Sequence, residues 1–468
     1  MADNDIALMA HLMRRAGFGA PYEELQRRVA NGYEATVQEL LHPEGQPDIP
    51  LDLLQRYFVD WEQQNLETNQ THWTWRMINT PRPLQEKMTL FWHSILCCDG
   101  EAKCDHGKQL LLQLDKFRRH DLGRFPDLLL QLASDPAMVY YLDNQMSHKE
   151  AINENWGREL LELFSLGVGM DGHPNYTEDD VKACARAFTG WTIGNSMPRF
   201  PYGRHEARFL YNPDDHDDDG KTFLGETGRW NGEDVIGIIA KQPSAARFVA
   251  RHLYNFFVAD EAPVPAWQNT PPRDPAAIKM LEDEYFRSNY DIRSMLGVLF
   301  NSDFFKNARF ARVKSPAEVV VGTMRLVGGF TYIGPGLLPI AMEIRYMGQD
   351  LTNPPTVEGW HTGQEWIDSG TLVERINFAA DQLGNVNAPG IRAIINRLRS
   401  EGRTLSAERL VDGCLEMLGA YELAEETRSQ LVTHARKGGT LHTGIKEFAQ
   451  QVAQVLQLIV ASQEYQFA

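Results

Sequence analysis

The sequence predicts a mainly α protein of helical, bundle-like lobes joined by long loops rich in proline, glycine and aspartate. Three observations carry this. Long runs place apolar residues at i, i+3, i+4 and i+7, which is one face of a helix. The period-two alternation of a half-buried strand is almost absent. Between the helical runs lie stretches 196–230, 262–275 and 352–370, where Pro, Gly and Asp concentrate.

Taken along the chain, "YEELQRRVANGYEATVQELL" (22–41) is the first clear helical run, and "LQEKMTLFWHSILCC" (84–98) the second. "FPDLLLQLASDPAMVYYL" (125–142) follows with the same periodicity. In "NENWGRELLELFSLG" (153–167), Asn153 or Asn155 can cap a helix of about three turns, and Gly167 or Gly169 can end it in a left-handed conformation. "YTEDDVKACARAFTGWT" (176–192) opens with Thr177 and, three residues on, Asp180, a capping-box pattern; Glu178 and Asp179 suit the positive end of the helix dipole. The small residues Ala183, Ala185, Ala187 and Gly190 would let another element approach closely. Runs 233–258 and 407–435 complete the helical set.

At 468 residues the chain exceeds the size at which one core usually stops growing. Two intimately packed lobes are expected, 1–260 and 276–468, with Glu261 to Pro275 as the boundary. Hydrophobic residues at 43% and charged residues at 23% are ordinary globular values. The net charge of −17, from 63 acidic and 46 basic residues, repels phosphate backbones and argues against general nucleic-acid binding. No apolar run approaches the ~20 residues of a membrane span, and the first residues lack a signal peptide's apolar core. A cytoplasmic protein is expected from the sequence as written, and a periplasmic or exported one if a leader has been removed. Five cysteines are sparse and odd in number, so buried free thiols are expected in place of a disulfide framework. Cys97, Cys98 and Cys104 with His106 match no common zinc knuckle.

Three clusters offer chemistry. On the helix after Asn153, Asn155, Arg158, Glu159 and Glu162 share one stripe, opposite Trp156, Leu160, Leu163 and Phe164. Glu159 and Glu162 can supply an acid and a base or two hard ligands, with Arg158 holding one carboxylate ionised; the alternative is an ion pair on a solvated face. In "DHDDDGKTFLGE", Asp215, Asp217, Asp219, Gly220 and Glu226 match the calcium-loop pattern, with calcium the first choice of divalent cation. Pro213, Gly225, Gly228 and Thr222 do not suit a helix-loop-helix hand, and a solvated acidic loop is the alternative. His216 in that loop and His93 in "LFWHSIL" are candidate bases or ligands, although His93 beside Phe91 and Trp92 also fits a core position. In "MGQDLTNPPTVEGWHTGQEWIDSG", Trp360, His361 and Trp366 would form a sugar-stacking wall if exposed and a core plug if buried. No motif indicates a nucleotide or organic cofactor.

"HLMRRAGFG", "KMTLFWH", "DPAMVYYLDN", "NENWGRELLELFSLG", "YTEDDVKACARAFTGWT", "HDDDGKTFLG", "ARFVARHLYNFFV", "VKSPAEVVVGTMR", "MGQDLTNPPTVEGW" and "ERINFA" occur in order along nearly the whole chain. Together they resemble the bacterial family catalogued as domain of unknown function 1800. The resemblance implies a mostly helical fold and brings no settled activity. Its polar positions fall here on Trp92, His93, Asp143, Asn144, Asn153, Glu154, Arg158, Glu159, Glu162, His216, Asp217 and Lys221, which favours one shared site. Ile95 stands where many members carry a second histidine, and Asp218 and Asp219 where they carry small residues. Relatives look exported and are encoded beside a sulfatase-like protein, which the resemblance implies as a partner.

The function expected is therefore a hydrolase-like enzyme, with or without a divalent cation, acting on a carbohydrate or sulfated substrate. Glu159, Glu162, Arg158, His93 and His216 are its candidate catalytic residues; Trp92, Asn155, Lys221, Trp360 and Trp366 would contact substrate; Asp215, Asp217, Asp219 and Glu226 would bind metal. The rival is a non-catalytic binding or assembly protein whose acidic network is a structural polar core.

Overall fold

A computed structural model describes residues 2–50, 53, 56, 66–101, 103, 104, 107–194, 207–334, 336–360, 362–437, 439 and 441–468. His106 and His361, and residues 196–206 of the 196–230 loop, lie outside the described residues. The fold is mainly α: among the described residues 61% is helical, in 22 helices, and the strands form short two-stranded antiparallel sheets.

Four of the long helical runs are broken by backbone chemistry that periodicity does not register. Gly32, at φ 97°, separates Tyr22–Asn31 from Tyr33–Leu41. Asp135 caps Pro136–Tyr141 with its side chain, ending Phe125–Ala133 before it, and Pro243 opens Pro243–Phe257 directly after Gly232–Ala240. Run 407–435 divides into Ala407–Met417 and Glu425–Arg436. Each break lets the chain turn and bury a second amphipathic face, which a single straight helix cannot do.

The main hydrophobic cluster is continuous from Ile6 to Tyr465 and draws on both sides of the Glu261 to Pro275 loop. Val264 and Trp267 of that loop are themselves part of it. Helix Leu66–Asn79 packs on Pro316–Val327 and Leu337–Tyr346, and Tyr33–Leu41 on Ile292–Asn301, so early and late segments share one interior. All five cysteines are buried and free.

Charges are drawn into this interior in paired sets. Glu86, buried on helix Pro83–Ile95, is bound by Arg76 at 2.9 Å and Arg118 at 2.8 Å and accepts the Trp73 indole N–H at 3.1 Å. Burial opposes its ionisation, but the two guanidiniums hold it at about 2. One residue on, Lys87 pairs with Glu318, which also takes Arg312. Such sets hold elements in register, because removing one member leaves an uncompensated buried charge, typically at ~3–5 kcal/mol.

Candidate functional site

The three predicted clusters fold to three places, the first two joined by helix Glu178–Ala187. Helix Asn155–Glu162 crosses helix Glu178–Ala187 at Gly157, where a Cβ would stand 3.0 Å from Ala185 N and from Val181 O. That contact requires glycine, and it puts the acidic stripe beside the second helix. The first helix is shorter than three turns; beyond it the chain closes in a wider turn, with the Leu166 and Gly167 amides bonded to Leu161 O. Thr177 and Asp180 close the capping box as expected, and Asp180 also accepts the Leu224 amide at 2.7 Å.

On the stripe, Arg158 forks onto Glu178 at 2.9 and 2.7 Å and reaches Glu154 at 3.4 Å. Glu162 accepts the Tyr176 hydroxyl at 3.0 Å. Glu159 accepts no side-chain donor within the set; partial burial, and then the charge of Glu162, push it up to about 7. Asn155 is exposed at the helix start, its amide bonded to Asn153.

At the other end of helix Glu178–Ala187, about 12 Å along the axis at ~1.5 Å per residue, Arg186 clamps Asp217 of the acidic loop at 2.6 and 3.1 Å. Burial raises Asp217, and the Arg186 bonds more than offset it, so its carboxyl sits below the ordinary range. Lys221 is 2% exposed and donates to the Asp217 and Asp219 carbonyls, 3.8 Å from the Asp217 carboxylate. A lysine ammonium thus lies beside one of the carboxylates that the calcium-loop pattern would turn toward a cation. The acids otherwise diverge. Asp215 pairs with His148 at 2.5 Å, Glu226 is exposed in a hairpin with Lys221–Phe223, and His216 is buried, with Nδ1 donating to Thr189 O at 3.0 Å. Among the described residues no group of three or more His, Cys, Asp or Glu side chains converges on one point.

The third cluster is interior. His93 is 1% exposed; its Nε2 accepts the Thr352 amide at 3.0 Å, and burial pushes the ring down to about 3. Trp92 donates to Asp121 O at 3.0 Å and stacks on Phe125. Trp360 and Trp366 are buried with Val313 in a small separate cluster. Trp92 and Trp366 are thus packed into the interior, while Trp360, also buried, borders a cavity.

Two cavities open around the same region. One, of about 270 Å³, is lined by Leu166, Asn175, Arg247, Phe248, Trp267 and Gln268; the other, of about 130 Å³, by Ser94, Leu163, Asn255, Trp267, Glu358 and Trp360. Trp267 borders both, its indole N–H fixed to Ala262 O at 2.8 Å. Arg251 lies over the Trp267 ring at 4.5 Å and binds Glu261 at 2.5 Å, while Arg247 pairs with Glu282 and Asp171. The guanidiniums are therefore neutralised, and the lining is apolar with amides, hydroxyls and a rim of carboxylates. Sequence reasoning missed Asn255, Trp267 and Glu358. The available signal is the continuity of "ARFVARHLYNFFV" with the proline-rich segment after it.

A mainly helical protein with two cavities meeting at a buried tryptophan, flanked by closed charge networks, is what the fold and site define. The chain belongs to the family described as protein of unknown function (DUF1800), whose model matches residues 11–467. No curated protein and no solved structure matches it. Among the described residues no helix is long and apolar enough to cross a membrane.

Proposed function

We propose that the protein is a binding protein for a polar, sugar-like ligand held in the cavities that meet at Trp267. Those cavities carry the reading: an apolar wall of Trp267, Trp360 and Phe248 is rimmed by Asn175, Asn255, Gln268 and Glu358. This mixture suits a polyol, whose C–H faces pack on aromatic rings and whose hydroxyls need donors and acceptors at the edge. The charged motif residues support it from the other side. Arg158, Arg186, Asp217 and Lys221 each spend their charge on a partner within the fold. The test is a glycan array followed by calorimetric titration of any hit against wild type, Glu358→Ala and Asn255→Ala. At least a tenfold loss of affinity in either variant is expected; no hit, or hits indifferent to both changes, refutes the reading.

A second reading rests on a separate observation. Glu159 and Glu162 sit one turn apart beside the Tyr176 hydroxyl, and a carboxyl near 7 suits general acid or base work in a hydrolase. Neighbours on one helix are poorly placed to flank a glycosidic bond, which turns this reading away from ordinary glycosidase chemistry. Loss of a measured hydrolysis in Glu159→Gln, with the melting temperature retained, is the result it needs.

A further inference from the structure

Four buried cations in the interior have, among the described residues, only neutral oxygens as hydrogen-bond partners. Arg14 donates to Gly419 O, Arg15 to Val258 O and Ala308 O, Arg375 to Lys314 O, and Lys314 to the Tyr421 hydroxyl and Tyr465 O. Two carboxylates lie near them, Glu318 buried and Asp260 half-buried. Glu318 is already shared by Lys87 and Arg312, and Asp260 accepts the Val313 amide at 3.1 Å. Arg14 lies between the rings of Phe310 and Tyr421, 5.0 Å from each, and its Nε and Nη2 have no hydrogen-bond partner among the described residues. Unpaired charge in this setting is strongly unfavourable.

Arg14, Lys314 and Tyr421 line one cavity of about 50 Å³, together with Glu318 and Tyr465. That is several times the ~10–15 Å³ a single water needs and matches a compact group of four oxygens. Lys314 has three ammonium protons and two acceptors, and the Tyr421 hydroxyl accepts from Lys314 with its own proton uncommitted among the described residues. Glu318, the one carboxylate side chain on the wall among the described residues, is outweighed by its two cations; Ala468, the last residue of the chain and 2% exposed, also borders the cavity, and no ion pair joins its carboxylate to Arg14 or Lys314 among the described residues.

We propose that this cavity binds a small oxyanion, phosphate or sulfate, through Arg14, Lys314 and Tyr421. The bound anion completes a buried charge balance that the side chains leave positive and ties the first helix, Ala2–Arg15, to the segment at Leu418–Tyr421. This inference is independent of the cavities at Trp267. Burial lowers Lys314 well below the ordinary lysine range, and an anion beside it restores the charged form.

The experiment is thermal melting of the full chain in chloride, acetate, phosphate and sulfate at equal ionic strength, with equilibrium dialysis of labelled phosphate in parallel. A saturable rise of about 2–5 °C in phosphate or sulfate over chloride is expected, with one phosphate retained per chain if that is the preferred ion. Acetate separates a general carboxylate preference from a tetrahedral one. Lys314→Met should abolish the response and fold, since an apolar chain of similar length replaces a buried cation; Tyr421→Phe, which keeps the ring beneath Arg14, should weaken it. No ion-specific rise and no retained phosphate overturns the proposal, as does an unchanged response in Lys314→Met.

Discussion

Glu159→Gln isolates a motif carboxyl that, among the described residues, has neither a paired cation nor a side-chain donor, whereas its neighbour Glu162 takes the Tyr176 hydroxyl. Its carboxyl rises from 4.5 to about 7 on folding because burial and Glu162 disfavour the charged form. The native state then binds the proton more tightly than the unfolded chain, so stability falls as pH rises from about 4.5 to 7 and levels off above. Fully realised, the rise is worth about 3 kcal/mol at ~1.4 kcal/mol per pH unit. The carboxyl is only partly buried, and solvent screening reduces this to ~1–2 kcal/mol. Glutamine has the same shape and cannot ionise. Urea denaturation at pH 4, 6 and 8 should show the variant gaining ~1–2 kcal/mol on wild type between pH 4 and pH 8, with the gain complete by about pH 7.5. A difference that does not change with pH would falsify the assignment of the elevated carboxyl to Glu159.

Other expected outcomes follow from the same geometry. Asp217→Asn breaks the clamp with Arg186 and should lower stability by ~1–2 kcal/mol by the same amount with EDTA as without, since Lys221 supplies the positive charge beside it; a calcium-dependent rise in wild-type melting that the variant lacks would instead place a cation in the acidic loop. Gly157→Ala must push Val181 O and Ala185 N away from a 3.0 Å contact and should cost ~1–3 kcal/mol in denaturant titration; a neutral result means the two helices cross elsewhere. His93, held down to about 3 by burial, should keep its neutral ring resonances between pH 8 and 4, and a midpoint near 6.5 in NMR titration would show an exposed ring.

Periodicity alone determined the helical class, the capping box at Thr177 and the side of helix Asn155–Glu162 that is buried, because those depend on residues a few places apart. Trp156, Leu160, Leu163 and Phe164 are all interior, as their spacing requires. The breaks at Gly32, Asp135 and Pro243 were legible in residue type, but periodicity carried the apolar pattern across them. What spacing could not decide was the partner of each polar residue. Arg186 against Asp217, Lys221 turned onto its own loop, and His93 facing Thr352 are contacts between segments 4 to 259 residues apart. An acid with a cation beside it and an acid awaiting a metal read identically until the chain closes, since a charge is defined chemically by its residue and energetically by what folding brings within a few ångströms. The cavities at Trp267 and at Arg14 exist only in that closed state. Tertiary structure therefore decided the site, while the local code decided the helices that build it.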